Sequence, residues 1–235
     1  MDNENVIYGI PEATGYESVI PRSLYIYSAV IHPAIRSGVL GSRFLGKFNV
    51  GTLMSQHPLA DDSLTQLGSP GPLWIYKNNL VTPRAFLAST SSILSNDTAI
   101  CDELLRKNSP WPAAMFTPNQ HASVLSGIHS SFDTVSHLED KGNDISMQTY
   151  SKDSAYLVLT DSYYPGWTAK VDDNEVPVLR CNYAMRAIKI PPGEHNVRFE
   201  FKPASYRIGT TISIVTISLM LLGLIVSKQK KDKSL

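Results

Sequence analysis

Apolar and polar positions alternate with period two through much of the C-terminal half of the chain. Val197, Phe199 and Phe201 point one way, and Arg198, Glu200 and Lys202 the other. Trp167, Ala169 and Val171 alternate with Thr168, Lys170 and Asp172, and Ile145, Met147 and Thr149 alternate with polar neighbours. This pattern predicts strands with one face on a core and one in water. Tyr156 to Thr160 (YLVLT) is instead a continuous apolar run, as for a strand covered on both faces. Turn chemistry separates the runs. Tyr164-Pro165-Gly166-Trp167 suits a type II turn, with proline second and glycine third, where φ must be positive. Asp172-Asp173-Asn174 and Pro191-Pro192-Gly193-Glu194 mark two more. Short strands separated by such signals every ~8–12 residues predict a mainly β fold, an antiparallel β-sandwich of jelly-roll or Ig-like type with a few helices.

The N-terminal part is mixed. SLYIYSAVIHPAI predicts a helix interrupted near Pro33, and GSRFLGKFNVGTLMS a short helix or loop leading into a strand. LADDSLTQLGSPGP reads as a polar connection and an internal boundary. Leu73–Asn78 and Arg84–Ser89 predict strands. NDTAICDELLRKN predicts a helix capped by Asn96 or Asp97, with Ile100, Leu104 and Leu105 on one side and Arg106 and Lys107 in its last turn.

At the other end, Ile208 to Val226 runs for nineteen residues with no ionisable side chain. At ~1.5 Å per residue this makes about 28 Å of helix, close to the ~30 Å hydrocarbon core of a bilayer. Thr210, Thr211, Ser213, Thr216 and Ser218 dilute its apolarity, but short hydroxyls bond back to the preceding turn. Tyr206 and Arg207 before the run, and Lys228, Lys230, Lys231 and Lys233 after it, fit interfacial anchors. A buried helix of a soluble domain is the competing reading, and the lysine cluster and the lack of an amphipathic stripe weigh against it. The organisation expected is therefore a mixed segment packing on the β domain (1–70), a β-sandwich (71–205), one C-terminal transmembrane helix (206–227) and a basic tail (228–235).

Composition excludes several functions. With 21 basic and 21 acidic residues among 235, the formal net charge is zero, and no basic block outside the tail points to nucleic acid. Cys101 and Cys181 are the only cysteines; they can pair in an oxidising compartment, or stand as two separate buried thiols. Orientation stays open at this point. Residues 1–20 contain no apolar signal region, which fits a tail-anchored protein with its domain in the cytosol. Four lysines after the span against Arg198, Lys202 and Arg207 before it place the tail inside, by a narrow margin.

No catalytic motif emerges. His32, His57, His121, His129, His137 and His195 have no ligand spacing, and there is no P-loop, GxGxxG or GxSxG. Asp61-Asp62 and Asp172-Asp173 read as a loop and a hairpin turn. No metal and no cofactor is expected. The most unusual local sequence is Asp161 to Trp167 (DSYYPGW). Tyr163, Tyr164 and Trp167 beside a carboxylate can form a flat platform for a glycan or protein partner, joined by Tyr183 and Arg186 from a nearby strand. Alternatively, Trp167 and one tyrosine plug the end of the sandwich core.

Five segments in order, GIPEATGYESVIPR, FLGKFNVGTLMS, WIYKNNLVTPRAFLAS, YLVLTDSYYPGWTAKVDD and YAMRAIKIPPGEHNVRFEFKP, followed by the apolar run, resemble the C-terminal part of YfhO-type bacterial membrane proteins. The most specific pieces are the Tyr-Pro-Gly-Trp turn with its following Asp, Pro83-Arg84-Ala85-Phe86 and the Pro-Gly-Glu-His turn. Asp173-Asn174 departs from the glycine usual at that hairpin, and Asn tolerates left-handed geometry. These are large polytopic proteins grouped with the GT-C glycosyltransferases, which use polyprenyl-phosphate-linked sugars. The resemblance implies an extracytoplasmic domain, a last span in the bacterial cell membrane and a cytoplasmic C-terminus. It also implies that upstream spans translocate the domain, so the chain is either a fragment of a larger protein or one half of a split one. The loop that carries the family's acidic catalytic residue has no counterpart in these segments, and no catalytic residue is carried over. The function expected is a non-catalytic module of an envelope glycan or lipid-linked sugar transfer protein. Its partners are the bilayer, the upstream membrane portion, and an envelope glycan or polyprenyl-linked sugar. The alternative is a stand-alone anchored protein that binds glycan or protein or serves a structural role.

Overall fold

The computed structural model of the protein describes residues 42–106, 111–128 and 130–232, with side chains described as far as residue 223. The helix expected around Pro33 lies outside the described residues. The mainly β expectation holds, and two antiparallel sheets form the sandwich.

Sheet one has five strands, β11 (Asn174–Val176), β10 (Trp167–Val171), β14 (Gly193–Phe201), β8 (Asp144–Ser151) and β7 (Thr134–Asp140), in that spatial order. Sheet two orders β12 (Leu179–Cys181), β13 (Met185–Ile190), β9 (Ala155–Ser162) and β4 (Ala85–Ala88). Their inner faces meet in one core. Ile145, Met147, Ala169, Val171, Val197 and Phe199 come from the first sheet, and Ala85, Leu87, Ala155, Leu157, Leu159, Ile188 and Ile190 from the second. The alternating residues of β8, β10 and β14 therefore point as their period dictates.

β9 is buried along Ala155–Leu159, as its unbroken apolar run predicts. Tyr156 and Val158 face away from the sandwich core into a second one, with Phe86, Ala88, Met185 and Ala187. That face is covered by Ala114 and Phe116 of β6 (Ala114–Phe116), which pairs in parallel with β5 (Ser91–Ile93). A third cluster joins Phe44 and Leu45 of α1 (Ser42–Lys47) to Ile100 and Leu104 of α2 (Asp97–Leu105) and to Tyr183.

Some local readings shift. Asn96 caps α2 by accepting from the Ala99 amide at 2.9 Å, but Leu105 is exposed while Ile100 and Leu104 are buried. The stretch read as a polar connection contains β2 (Leu64–Gly68), which pairs with β3 (Trp74–Asn78); β1 (Thr52–Ser55) completes that sheet on the other side of β3. At the β10–β11 hairpin the left-handed residues are Asp172 (φ 49°) and Asp173 (φ 69°), not Asn174, which opens β11 opposite Val171. Positive φ at both central positions is what a two-residue type I′ hairpin turn requires. Cys101 and Cys181 carry free thiols, and burial pushes the Cys101 thiol up to about 11.

After β14 the chain turns at Pro203 into α3 (Ala204–Asp232). Apolar side chains from Ile208 to Leu222 are 52–66% exposed around the whole helix, and none of the window Ala204–Gly223 is buried against the protein. A core helix of a soluble domain is buried along one face, and α3 has no such face among the described residues. Four hydroxyls bond back within the helix as expected: Thr210 to the Tyr206 carbonyl, Thr211 to Arg207, Thr216 to Ile212 and Ser218 to Ile214, all at 2.8–2.9 Å.

The Tyr164–Trp167 turn is docked on the start of this helix. Gly166 has φ +112°, and a Cβ there would lie 2.9 Å from Pro203 Cα. The Gly166 carbonyl accepts from the Lys202 amide at 2.7 Å. Gly166→Ala therefore meets both a glycine-only backbone conformation and a backbone clash. It should destabilise the domain by about 2–3 kcal/mol, read as a lower melting temperature of the detergent-solubilised chain.

Candidate functional site

Of the five aromatic and cationic residues singled out from sequence, the structure brings Trp167 and Arg186 together. β13 places Arg186 on the same face as Ile188 and Ile190, facing the other sheet, although it is a charged residue in a core position. It is 2% exposed. Its guanidinium stacks on the Trp167 ring, 3.9 Å from the centroid, with the ring of Phe199, from the sandwich core, at 5.9 Å. Arg186 Nη2 donates to Asp161 Oδ2 at 2.6 Å, and Nε and Nη1 have no hydrogen-bond partner among the described residues. Packing of the cation against the indole face compensates part of that desolvation.

Asp161 is shared. Arg84 donates to it through Nε and Nη2, both at 2.9 Å, and reaches Asp140 Oδ2 at 2.7 Å. The ladder Arg186–Asp161–Arg84–Asp140 thus runs from the centre of the second sheet to the edge strand β7 of the first, closing the end of the sandwich from which α3 leaves. Burial lowers the affinity of Arg186 for its proton and Asp161 opposes it, so the group stays cationic at any ordinary pH. Arg84 is held more firmly protonated by its bond to Asp161. Partial burial works to raise the Asp140 carboxyl, but hydrogen bonds from Arg84 and the Gly142 amide hold it below the usual range.

The remaining residues sit apart from that pair. Tyr183 is 3% exposed and belongs to the α1–α2 cluster, with left-handed φ at 75°. Tyr164 is 46% exposed and meets Phe201 edge-on with ring centroids 6.2 Å apart; Trp167 also packs on Phe201, at 5.2 Å. Tyr163 is half-buried, its amide donating to the Ala184 carbonyl at 2.6 Å. Arg186 and Tyr183 thus offer no exposed surface in this conformation, whereas Tyr164 does. Sequence reasoning missed Arg84, Asp140 and the role of Asp161. The available signal was Arg186 itself, a cation at a core-face position in line with Ile188 and Ile190, which demands a buried carboxylate elsewhere.

A separate groove of about 660 Å³ lies along the water-facing side of the five-stranded sheet. Lys170, Asn196, Arg198, Glu200 and Lys202 line it with Ser146 and Gln148, and Asp172 and Asp173 stand at its far end. Arg198 forks onto Asp144 at 3.0 and 2.5 Å, and Lys202 pairs with Glu200 at 2.6 Å. Beside the far end, His195 Nδ1 meets Asp172 Oδ2 at 2.5 Å, and the Asn196 amide donates to Asp172 Oδ1 at 2.8 Å. Among the described residues, no three His, Cys, Asp or Glu side chains converge as metal ligands.

A β-sandwich whose last strand continues into a helix with an apolar, uncovered surface defines a membrane-associated protein. Residues 128–213 match the family model described as bacterial membrane protein YfhO, which agrees with the resemblance to a YfhO-type C-terminal part. The match spans β7 to the first turns of α3 and includes Asp140, Asp161, Trp167 and Arg186; the three earlier segments of the resemblance, and Arg84, lie before it. No curated protein and no solved structure matches the chain.

Two outcomes follow from this geometry. Asp161→Ala leaves the Arg186 charge buried without a counter-ion and should cost about 3–5 kcal/mol, read as a large fall in the melting temperature of the domain. The second concerns pH. The Asp172 bond raises the His195 pKa, and the same bond lowers that of Asp172. The Asp172 contribution to stability is present above its unfolded value of ~3.9 and is lost as pH falls through the lower folded value. The His195 contribution is full below ~6.5 and is lost as pH rises through the raised folded value. The pair stabilises the fold most between about pH 4 and 6.5. In melts across pH 5–9, about the range where histidine titrates, His195→Asn should remove the decline that the parent chain shows on the alkaline side.

Proposed function

We propose that the chain is a non-catalytic, extracytoplasmic C-terminal module of a GT-C-like bacterial membrane protein, which holds an envelope glycan or lipid-linked sugar near the bilayer. The observation that carries this reading is the YfhO match across a β-sandwich joined to its apolar helix without a linker. Pro203 is the residue before α3, and the turn seated on it ties the domain to the helix. A ligand bound to the sandwich is thereby kept at a short, fixed distance from the membrane.

The polar groove supports a glycan as that ligand. Sugar hydroxyls both donate and accept, and Lys170, Arg198, Asn196, Gln148 and Glu200 supply both kinds of partner along one open sheet face. On this reading the tyrosines of the turn contribute nothing to sugar binding. The last span puts the lysine tail in the cytoplasm, and spans preceding the domain carry it across the membrane.

Two experiments test this. The full-length chain in lipid nanodiscs, applied to an array of bacterial envelope glycans, should bind a defined subset. Lys170→Ala with Arg198→Ala should weaken that binding about tenfold or more, since two charged hydrogen bonds are lost, while Tyr163→Ala with Tyr164→Ala leaves it unchanged. Binding to no glycan overturns the ligand. Protease added to intact spheroplasts should cleave the β domain; protection would favour a cytosolic, tail-anchored protein instead.

A further inference from the structure

We infer that the Tyr163–Gly166 turn, with the neighbouring Lys141–Asn143 turn, forms a seat that rests in the headgroup layer of the bilayer and sets the angle at which the helix leaves the domain. The inference rests on the reading of α3 as a membrane span.

The geometry starts at the joint. Gly166 packs on Pro203 so closely that no side chain fits between them, and its carbonyl is bonded to the Lys202 amide. On the other side of β14, the Phe201 amide donates to the Asn143 carbonyl at 2.8 Å. Both turns are therefore bonded to consecutive residues, Phe201 and Lys202, within three positions of the helix start, and neither can swing away without breaking a backbone bond.

The depth then follows from helix rise. Pro203 lies five residues before Ile208, where the uncharged run begins, so about 7 Å of chain separates the joint from the hydrocarbon. The headgroup zone on each side of a ~30 Å core is about 5–7 Å thick. The turn therefore falls at the level of the headgroups, where the amphipathic rings of Tyr and Trp are favoured. What the protein presents there has the matching chemistry. Tyr164 is half exposed, with its ring braced on Phe201, and Tyr206 in the first turn of α3 is 73% exposed. Lys141 and Lys202 extend into solvent beside them, at the level of lipid phosphates. Stability of the seat comes from the same end of the sandwich: Trp167 holds the base of the turn against Arg186 and Phe201.

The test uses the full chain in vesicles of phosphatidylcholine and phosphatidylglycerol containing lipids brominated near the glycerol end of the acyl chain for the probes on the domain, and near its methyl end for the probe at position 217, which lies at about mid-bilayer depth. Tryptophan probes are introduced one at a time at Tyr164→Trp, Asn143→Trp, Lys152→Trp and Ile217→Trp, each measured against the unsubstituted chain. Lys152 lies in the turn between β8 and β9, at the end of the sandwich away from the helix. The expected result is quenching at Tyr164→Trp and Asn143→Trp at least about twofold greater than at Lys152→Trp, with blue-shifted emission from the first two, as for rings in the interface. Asn143 contributes its backbone to the joint, so its variant keeps the test valid if Tyr164→Trp fails to fold. Equal quenching at the Lys152 position and both proximal positions overturns the seat while leaving the span intact, provided Ile217→Trp is quenched. An unquenched Ile217→Trp overturns the span itself, and the seat with it.

Discussion

One buried cation organises the end of this molecule from which α3 leaves. Arg186 takes a position on β13 that the strand's period assigns to the core, and it can stay there only with a carboxylate beside it and a flat ring above it. Asp161 supplies the first and Trp167 the second. Because Asp161 is itself gripped by Arg84, and Arg84 by Asp140, the charge on one strand locks three others into register at that end. An apolar residue of similar volume would fill the space as well, and often with no loss of stability. What it would not do is pair with Asp161 on β9, whose other partner, Arg84, joins the edge strands β4 and β7 of the two sheets.

That arrangement links the interior to the start of α3. Trp167 begins β10 and ends the Tyr-Pro-Gly-Trp turn, so the residue that covers the guanidinium also anchors the turn lying on Pro203. Core packing, the aromatic turn and the origin of the helix form a continuous chain of contacts. The polar groove on the outer face of the five-stranded sheet ends at Lys202, beside the same joint. A ligand in the groove and lipid under the turn would therefore occupy adjoining parts of one rigid unit.

Much of this was legible in the sequence where local chemistry decides structure. Period-two alternation placed Val197, Phe199, Ala169 and Met147 on the core face, and Gly166 had to be glycine because the turn needs positive φ. Asn96 was recognisable as a cap because its side chain acts on residues three positions away. The misreadings share a different origin. β2 forms in a glycine- and proline-bounded polar stretch because β3 offers it a partner, a tertiary effect that overrides local composition. The hairpin's left-handed residues are the two aspartates because strand pairing, not residue preference, sets where the turn closes. Arg186 and Tyr183 looked like candidates for a surface. Alternation reports which face a side chain takes but not whether that face is covered, and the partners of Arg186 lie 25 residues away at Asp161 and, through it, near the start of β4.

The second sheet is buried on both sides, and its covering comes from upstream. β4, β5 and β6 all precede the region that matches the family model, yet β4 is the edge strand beside β9, and Ala114 and Phe116 of β6 roof the outer side of the sheet. The C-terminal stretch is therefore not separable: cut at residue 128, it would leave β9 with a bare edge and leave Tyr156, Val158 and Ala187 in water. During synthesis the roof and edge strand emerge first and must wait, without their sheet, until the ribosome has delivered β9 and then β13. The sheet closes from its β4 edge only as later strands arrive, which makes the interval between β4 and β13 the time when this chain most needs protection from other unpaired strands.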